Sequence, residues 1–245
     1  MTDLSRCQAV FERDPALYLD MTEPVRRGTG RVLYAAPEGA LVAVSNQDDN
    51  GVLYTMFAQN EAVAEHLCSL IPIKPEFVTI HEAHSFPALR RRFGYQSMTS
   101  CWQVGYLARE PLDLPPSRFQ IRPLTMDHLP LLEAHYQLTD GGYLSGRIAL
   151  GALYGAFDGA NLAGFIGFHA EGTVGLLEVL PNYRRQGIAT LLQSYLTNLE
   201  LSRGHIPYGQ VFDGNWAYKD YPAIIQAMSS QQEGANLTEA DVKKL

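Results

Sequence analysis

Little in this sequence is extreme, and each shortage excludes something. Its three cysteines, Cys7, Cys68 and Cys101, stand far apart in 245 residues. They are odd in number, and neither a C-x-x-C pair nor metal-ligand spacing joins them, which argues against a disulfide framework and a cysteine zinc site. Reduced, structural thiols and a cytoplasmic location are expected. No apolar run approaches the ~18 residues that cross a bilayer, and the opening MTDLSRCQAV lacks the basic and apolar regions of a secretion signal. Positive charge is short too: 19 Lys and Arg face 26 Asp and Glu, with 10 against 14 in residues 1–117 and 9 against 12 in 118–245. Neither half is built to bind nucleic acid by bulk charge, and no membrane partner is expected. With 46% hydrophobic and 18% charged residues, the composition is that of a folded globular protein.

Punctuation then divides the chain. Pro111, Pro115 and Pro116 lie among polar residues between the strand-like runs WQVGYLA and FQIRPL. Three prolines in six residues fit neither a helix nor a paired central strand. The expected organisation is an N-terminal domain over 1–110, a Pro-rich linker over 111–117 and a C-terminal domain over 118–245.

After the linker, FQIR alternates like a short strand and LPLLEAHYQL has helical spacing. ALYGAFDG and LAGFIGFHAEG form a glycine-punctuated meander, and TVGLLEVL is a fourth strand. It runs directly into PNYRRQGIATLLQSYLTNLELSRG, where Ile188, Leu191, Leu192, Tyr195, Leu196 and Leu199 recur at three and four up to Gly204. IPYGQVFDG is a fifth strand. The first half repeats this grammar more faintly, as strands RVLYAAPEG, ALVAVSNQDDNG and VLYTMFA, helix NEAVAEHLCSLI, strand FVTIHE, helix FPALRRRFGYQ and strand SMTSCWQVGYLA. The expected class is α/β (α+β): two tandem copies of one mostly antiparallel, mixed sheet flanked by helices, the N-terminal copy having drifted.

The segment from Leu177 to Thr190 carries the chemistry. A strand that ends in a turn with Arg184, Arg185, Gln186 and Gly187, and feeds straight into a helix at Ile188 and Ala189, presents free backbone amides where the helix dipole favours anions. Glycine allows a phosphate to approach the backbone, Ala189 keeps the first turn slim, and the arginines add charge at the rim.

R-R-Q-G-I-A after V-L-P resembles the acyl-CoA signature of the GNAT N-acetyltransferase superfamily, and with the later G-Q-V-F-D-G-N it looks most like the glycine-N-acyltransferase-like branch. The likeness covers about 118–215; over 30–110 it is architectural only. It implies GNAT-like folds with splayed central strands and acetyl-CoA or another acyl-CoA as co-substrate, without a metal. The backbone of Leu177 and Val179 would bond the pantetheine, residues Arg184 to Thr190 the pyrophosphate, and Asn215 the pantetheine or thioester. The implied reaction is direct attack of a primary amine on the thioester. The acceptor could be a small amine, an amino acid or a protein amine. The alternative is a non-catalytic acyl-CoA-binding or assembly module.

Such a transfer profits from a base and from an acid for the leaving thiolate. Glu178 within the fourth strand, Glu171 before it and His169 at the end of the third are the candidate bases, with surface pairing to a cation as the other reading of Glu178. His169, beside a Glu-Gly turn, is expected at a solvent edge. Tyr218 and Tyr221 are the candidate acids, or packing partners of Trp216; the closing Gly-Phe of the family pattern is absent. Arg90, Arg91 and Arg92 are expected as a solvated helix end before Gly94. The first half has Asn60 and Glu61 where a phosphate turn needs glycine and cations, so it is not expected to bind CoA. The polar tail is expected to fray.

Overall fold

Aliphatic runs broken by turn residues dictate hairpins. The computed structural model, which describes residues 4–45, 51–139 and 141–212, folds them so in two compact units. The first unit holds residues 4–45, 51–106 and 210–212, and the second holds 107–139 and 141–209.

The first unit opens with helices that sequence reasoning missed, α1 (Gln8–Phe11) and α2 (Leu19–Arg27). Pro24 inside α2 blurs its pattern, and Gly28 ends it in the left-handed conformation at φ 77°. Strands β1 (Gly30–Ala36), β2 (Gly39–Ser45) and β3 (Val52–Ala58) pair antiparallel. After α3 (Glu61–Ser69), β4 (Val78–Ile80) lies parallel to β3, with Tyr54 opposite Val78. Helix α4 (Phe86–Phe93) and strand β5 (Cys101–Gly105) follow. Six of the seven β2 residues are buried because helices cover both faces. Phe11, Tyr18 and Met21 pack with Val42, Val44 and Phe57, while Leu67, Cys68, Leu89 and Phe93 pack with Leu41 and Met56. All three cysteines are free, and burial pushes the Cys68 thiol up to about 11. His81 Nε2 lies 2.9 Å from Asp20 Oδ1, with both side chains 4% exposed.

The second unit is a four-stranded antiparallel sheet in the order β6 (Gln120–Pro123), β7 (Leu153–Asp158), β8 (Asn161–Phe168) and β9 (Val174–Val179). Between β6 and β7 lie α5 (Leu129–His135) and α6 (Gly141–Ala149). The second of these escapes sequence reasoning, because Gly141 and Gly142 head it. Leu132, Leu144 and Ile148 from these helices bury one face of the sheet with Phe157, Phe165 and Leu176. The other face is covered by α7 (Ile188–Ser202), whose Ile188, Leu191, Leu192 and Leu196 pack on Ala156, Ala163 and Ile166. Each such aliphatic side chain contributes about 2 kcal/mol, which anchors the helix and the turn before it. The Pro-rich segment is fastened to α7: Asn198 Oδ1 accepts from the Leu112 amide at 2.7 Å, and its Nδ2 donates to the Leu112 carbonyl at 2.8 Å. Strand β10 (Tyr208–Phe212), whose last three residues belong to the first unit, pairs with β5, and among the described residues β9 ends its own sheet. No described helix is long and apolar enough to cross a membrane.

Candidate functional site: an open helix N-terminus beside an edge strand

The turn between β9 and α7 is built from backbone. The Leu180 amide still donates to Ala163 O at 2.9 Å, and a 3-10 turn over Pro181–Tyr183 then lifts the chain away from the sheet. Arg184 is extended, Arg185 adopts φ 63°, and Gly187 adopts φ 76° as the N-cap of α7. Left-handed residues at 185 and 187 turn the chain sharply just before the helix begins. For arginine that conformation costs ~1–3 kcal/mol, and such strain gathers at functional sites. No side chain among the described residues caps α7. The amides of its first turn have no carbonyl partner within the helix, and the macrodipole adds positive potential there.

The corresponding helix of the first unit is closed. Asn60, extended at φ −157°, accepts the Val63 amide on its Oδ1 at 3.1 Å and caps α3. Arg91 of the three-arginine run pairs with Glu61 and Glu65.

Glycine matters at two positions around the open turn. A Cβ on Gly187 would meet no described atom within 4 Å, so glycine is there for its φ. A Cβ on Gly164 would lie 2.8 Å from Glu178 O and 3.2 Å from Ile188 Cγ2, so its absence lets the helix start seat on the sheet.

Three arginines surround the turn. Arg184 Nη2 pairs with Glu178 Oε1 at 3.1 Å while its Nε donates to Val179 O at 3.0 Å. Arg185 is exposed and has no ion-pair partner among the described residues. Arg118, which sequence reasoning did not single out, donates to Asp158 at 3.2 Å and to Gln186 Oε1 at 3.2 Å. The signal for it was one cation at the start of a strand, 68 positions from its partner.

Strand β9 is not the plain strand its sequence suggests. Leu176 adopts φ 55°, and the pairing with β8 slips between Phe165 and Gly167, so a bulge breaks β9 in the middle. Bulges re-aim neighbouring groups and concentrate beside active sites. Leu177 and Val179 turn their side chains toward α7, whereas Leu176 joins the opposite face. By strand alternation Glu178 lies on that opposite face too.

At the start of β9 stands a second constellation. His169 follows β8 and is half-buried, not at an open solvent edge, with Nδ1 2.9 Å from Tyr143 Oη on α6. The two rings stack at 5.9 Å, and the Ala170 amide donates to the same Oη at 3.3 Å. The buried Arg147 holds the chain here, its Nε donating to Phe168 O at 2.9 Å. Burial lowers the His169 pKa below its ordinary value, with Arg147 adding to the shift and Glu171 opposing it. The Glu171 carboxylate accepts from Thr173 Oγ1 at 2.6 Å, and its carbonyl accepts from Tyr208 Oη at 2.5 Å.

Of the residues expected from sequence, Leu177, Val179, Arg184, Arg185, Gln186, Gly187, Ile188, Ala189 and Thr190 lie along one strand end, turn and helix start. Glu171 and Glu178 fall at opposite ends of β9. Asn215, Tyr218 and Tyr221 lie outside the described residues.

No family model matches the chain, and no curated protein matches it. Among solved structures, a Drosophila protein aligns at TM-score 0.56 and 15% identity over 91% of this chain and 93% of its own. A GCN5-related N-acetyltransferase-like protein from Streptococcus suis aligns at 0.45 and 12%, over 83% and 89%. An acetyltransferase from the GNAT family from Colwellia psychrerythraea aligns at 0.46 and 14%, over 93% of each chain. The Drosophila structure shares the fold, a mixed α/β architecture of antiparallel sheets flanked by helices.

Proposed function

We propose that the chain is a GNAT-like N-acyltransferase of the glycine-N-acyltransferase-like kind that moves an acetyl or other short acyl group from acyl-CoA to a primary amine. The observation that carries this reading is the uncapped N-terminus of α7, reached through left-handed Arg185 and Gly187 and rimmed by arginines. Such a turn suits a diphosphate: amides give direction, the dipole gives field, and Arg185 offers an uncommitted charge. The edge of β9 suits an extended amide-bearing arm, which would add to it as a further strand. In this reading the acyl group lies along β9, and positioning and desolvation of the amine supply much of the rate.

The first unit serves as a degenerate copy that takes no CoA, in line with Asn60 occupying the α3 N-terminus. The acceptor, a small amine, amino acid or protein amine, would approach the α5/α6 face, where Glu178 and His169 lie.

Calorimetry with acetyl-CoA, followed by thiol release from acetyl-CoA with glycine, ethanolamine and Nα-acetyl-lysine, tests the reading. Binding together with amine-dependent release is expected. Binding without release from any amine favours the acyl-CoA-binding module, and absence of binding refutes both.

A further inference from the structure

We propose that His169 is the general base that accepts the proton of the incoming ammonium group, with Tyr143 and Gly175 holding its ring in place. This rests on the reading of the α7 turn as the CoA site. His169 directly follows β8, but its ring reaches across onto β9: Nε2 lies 2.6 Å from where a Cβ on Gly175 would stand. Glycine at 175 therefore makes room for an imidazole on the last strand of the sheet. Nδ1 is fixed by the Tyr143 hydroxyl, and the tautomer in which Nδ1–H donates to that oxygen leaves a lone pair on Nε2. Arg147 and the His169 amide bond to Thr173 O fix the backbone on either side.

Position along β9 agrees. The phosphate turn follows the C-terminal end of the strand, so an arm laid on its edge runs back toward Gly175. Gly175 to Val179 spans four residues, ~13 Å. The bulge at Leu176 falls next to the imidazole. Both carboxylates near β9 already have partners, Glu178 in Arg184 and Glu171 in Thr173. The charged and titratable groups around His169 are Tyr143 and Arg147 from α6 and Glu171 from the following turn, with Tyr208 bonded to the Glu171 carbonyl. The lowered pKa keeps the imidazole neutral, and so able to take a proton, at pH 7.

Nε2 takes one proton from the ammonium, and the freed nitrogen lone pair forms the C–N bond at the thioester carbonyl. The C–S bond breaks with its electron pair on sulfur, and the second N–H proton ends on that sulfur as the CoA thiol.

The test compares His169→Gln and Gly175→Ala with the wild-type protein in the thiol-release assay, using two kinds of amine. Glycine and ethanolamine are ammonium ions at pH 7 and need a base, whereas methoxyamine is already neutral. Both variants are expected to bind acetyl-CoA as the wild type does and to lose about 100-fold in kcat with the ammonium acceptors. Both should retain most of the methoxyamine rate. Wild-type rates with glycine and ethanolamine in His169→Gln, or equal losses with both kinds of amine, overturn the base assignment while leaving the CoA site standing. Failure of the wild-type protein to bind acetyl-CoA overturns the reading of the turn instead.

Discussion

Replacing Gly187 by valine separates what the turn does for the fold from what it does for a ligand. In the fold, the residue must take φ 76°, which costs an L-residue ~1–2 kcal/mol, and slightly more when β-branched. No described atom lies within 4 Å of the new Cβ, so no clash with the described residues adds to that cost. The expected result is a protein that melts cooperatively and ~5 °C lower, given ~2–4 °C per kcal/mol for a chain of this size. For the ligand, the branched side chain fills the open space in front of the first-turn amides. Losing two amide-to-phosphate hydrogen bonds at ~1.5 kcal/mol each weakens CoA binding by ~3 kcal/mol, or ~100-fold. Asparagine tolerates left-handed φ, so Gly187→Asn should recover most of the stability while still obstructing the ligand. The assays are thermal melting and calorimetric titration with CoA. A folded valine variant with wild-type CoA affinity would refute the reasoning, since sterics at that point would then be irrelevant to binding.

Other outcomes follow from features away from the turn. Asn60→Ala should destabilise the protein by ~1 kcal/mol in thermal melts through loss of the α3 cap, without changing CoA affinity. His81 should make stability fall as pH rises. Burial alone would lower its pKa, but Asp20 at 2.9 Å outweighs that and holds it above 6.5. Between 6.5 and the raised value the folded state binds more protons than the unfolded one, so the stabilisation is complete below 6.5 and is lost as pH climbs through the raised value. Melts from pH 6 to 9 should show this decline, and a His81→Gln protein should lose it; an unchanged slope in the variant would count against the pair. Asn198→Ala should leave two Leu112 backbone groups without their partner and cost ~1–3 kcal/mol, read as a lower melting temperature.

What the sequence revealed was local and what it hid was not. The α7 spacing, the glycines at 187 and 204 and the punctuation between strands are signals within a few residues, and they locate the turn and its helix. Asn60 and Glu61 were legible for the same reason, as residues that stand where a phosphate turn needs glycine and cations, although the cap that Asn60 makes on α3 was not. Leu176 gave no warning, because leucine has no preference for φ 55° and the run TVGLLEVL alternates well enough to read as unbroken. His169 read both as a candidate base and as a solvent-edge residue beside a turn, with nothing local to decide between the two. Its importance comes from Tyr143, 26 positions earlier, and from the missing side chain of Gly175, contacts that only the folded sheet creates. The clasp of Asn198 on Leu112 spans 86 positions and ties a segment that reads as a free linker to the second unit.

Amide hydrogen exchange with and without CoA tests the central claim most directly, because the two helix starts report side by side. Saturating CoA should slow exchange at the amides of Ile188, Ala189 and Thr190 and leave those of Glu61, Ala62 and Val63 unchanged. CoA bound with no protection at the start of α7, or with equal protection at α3, would contradict it.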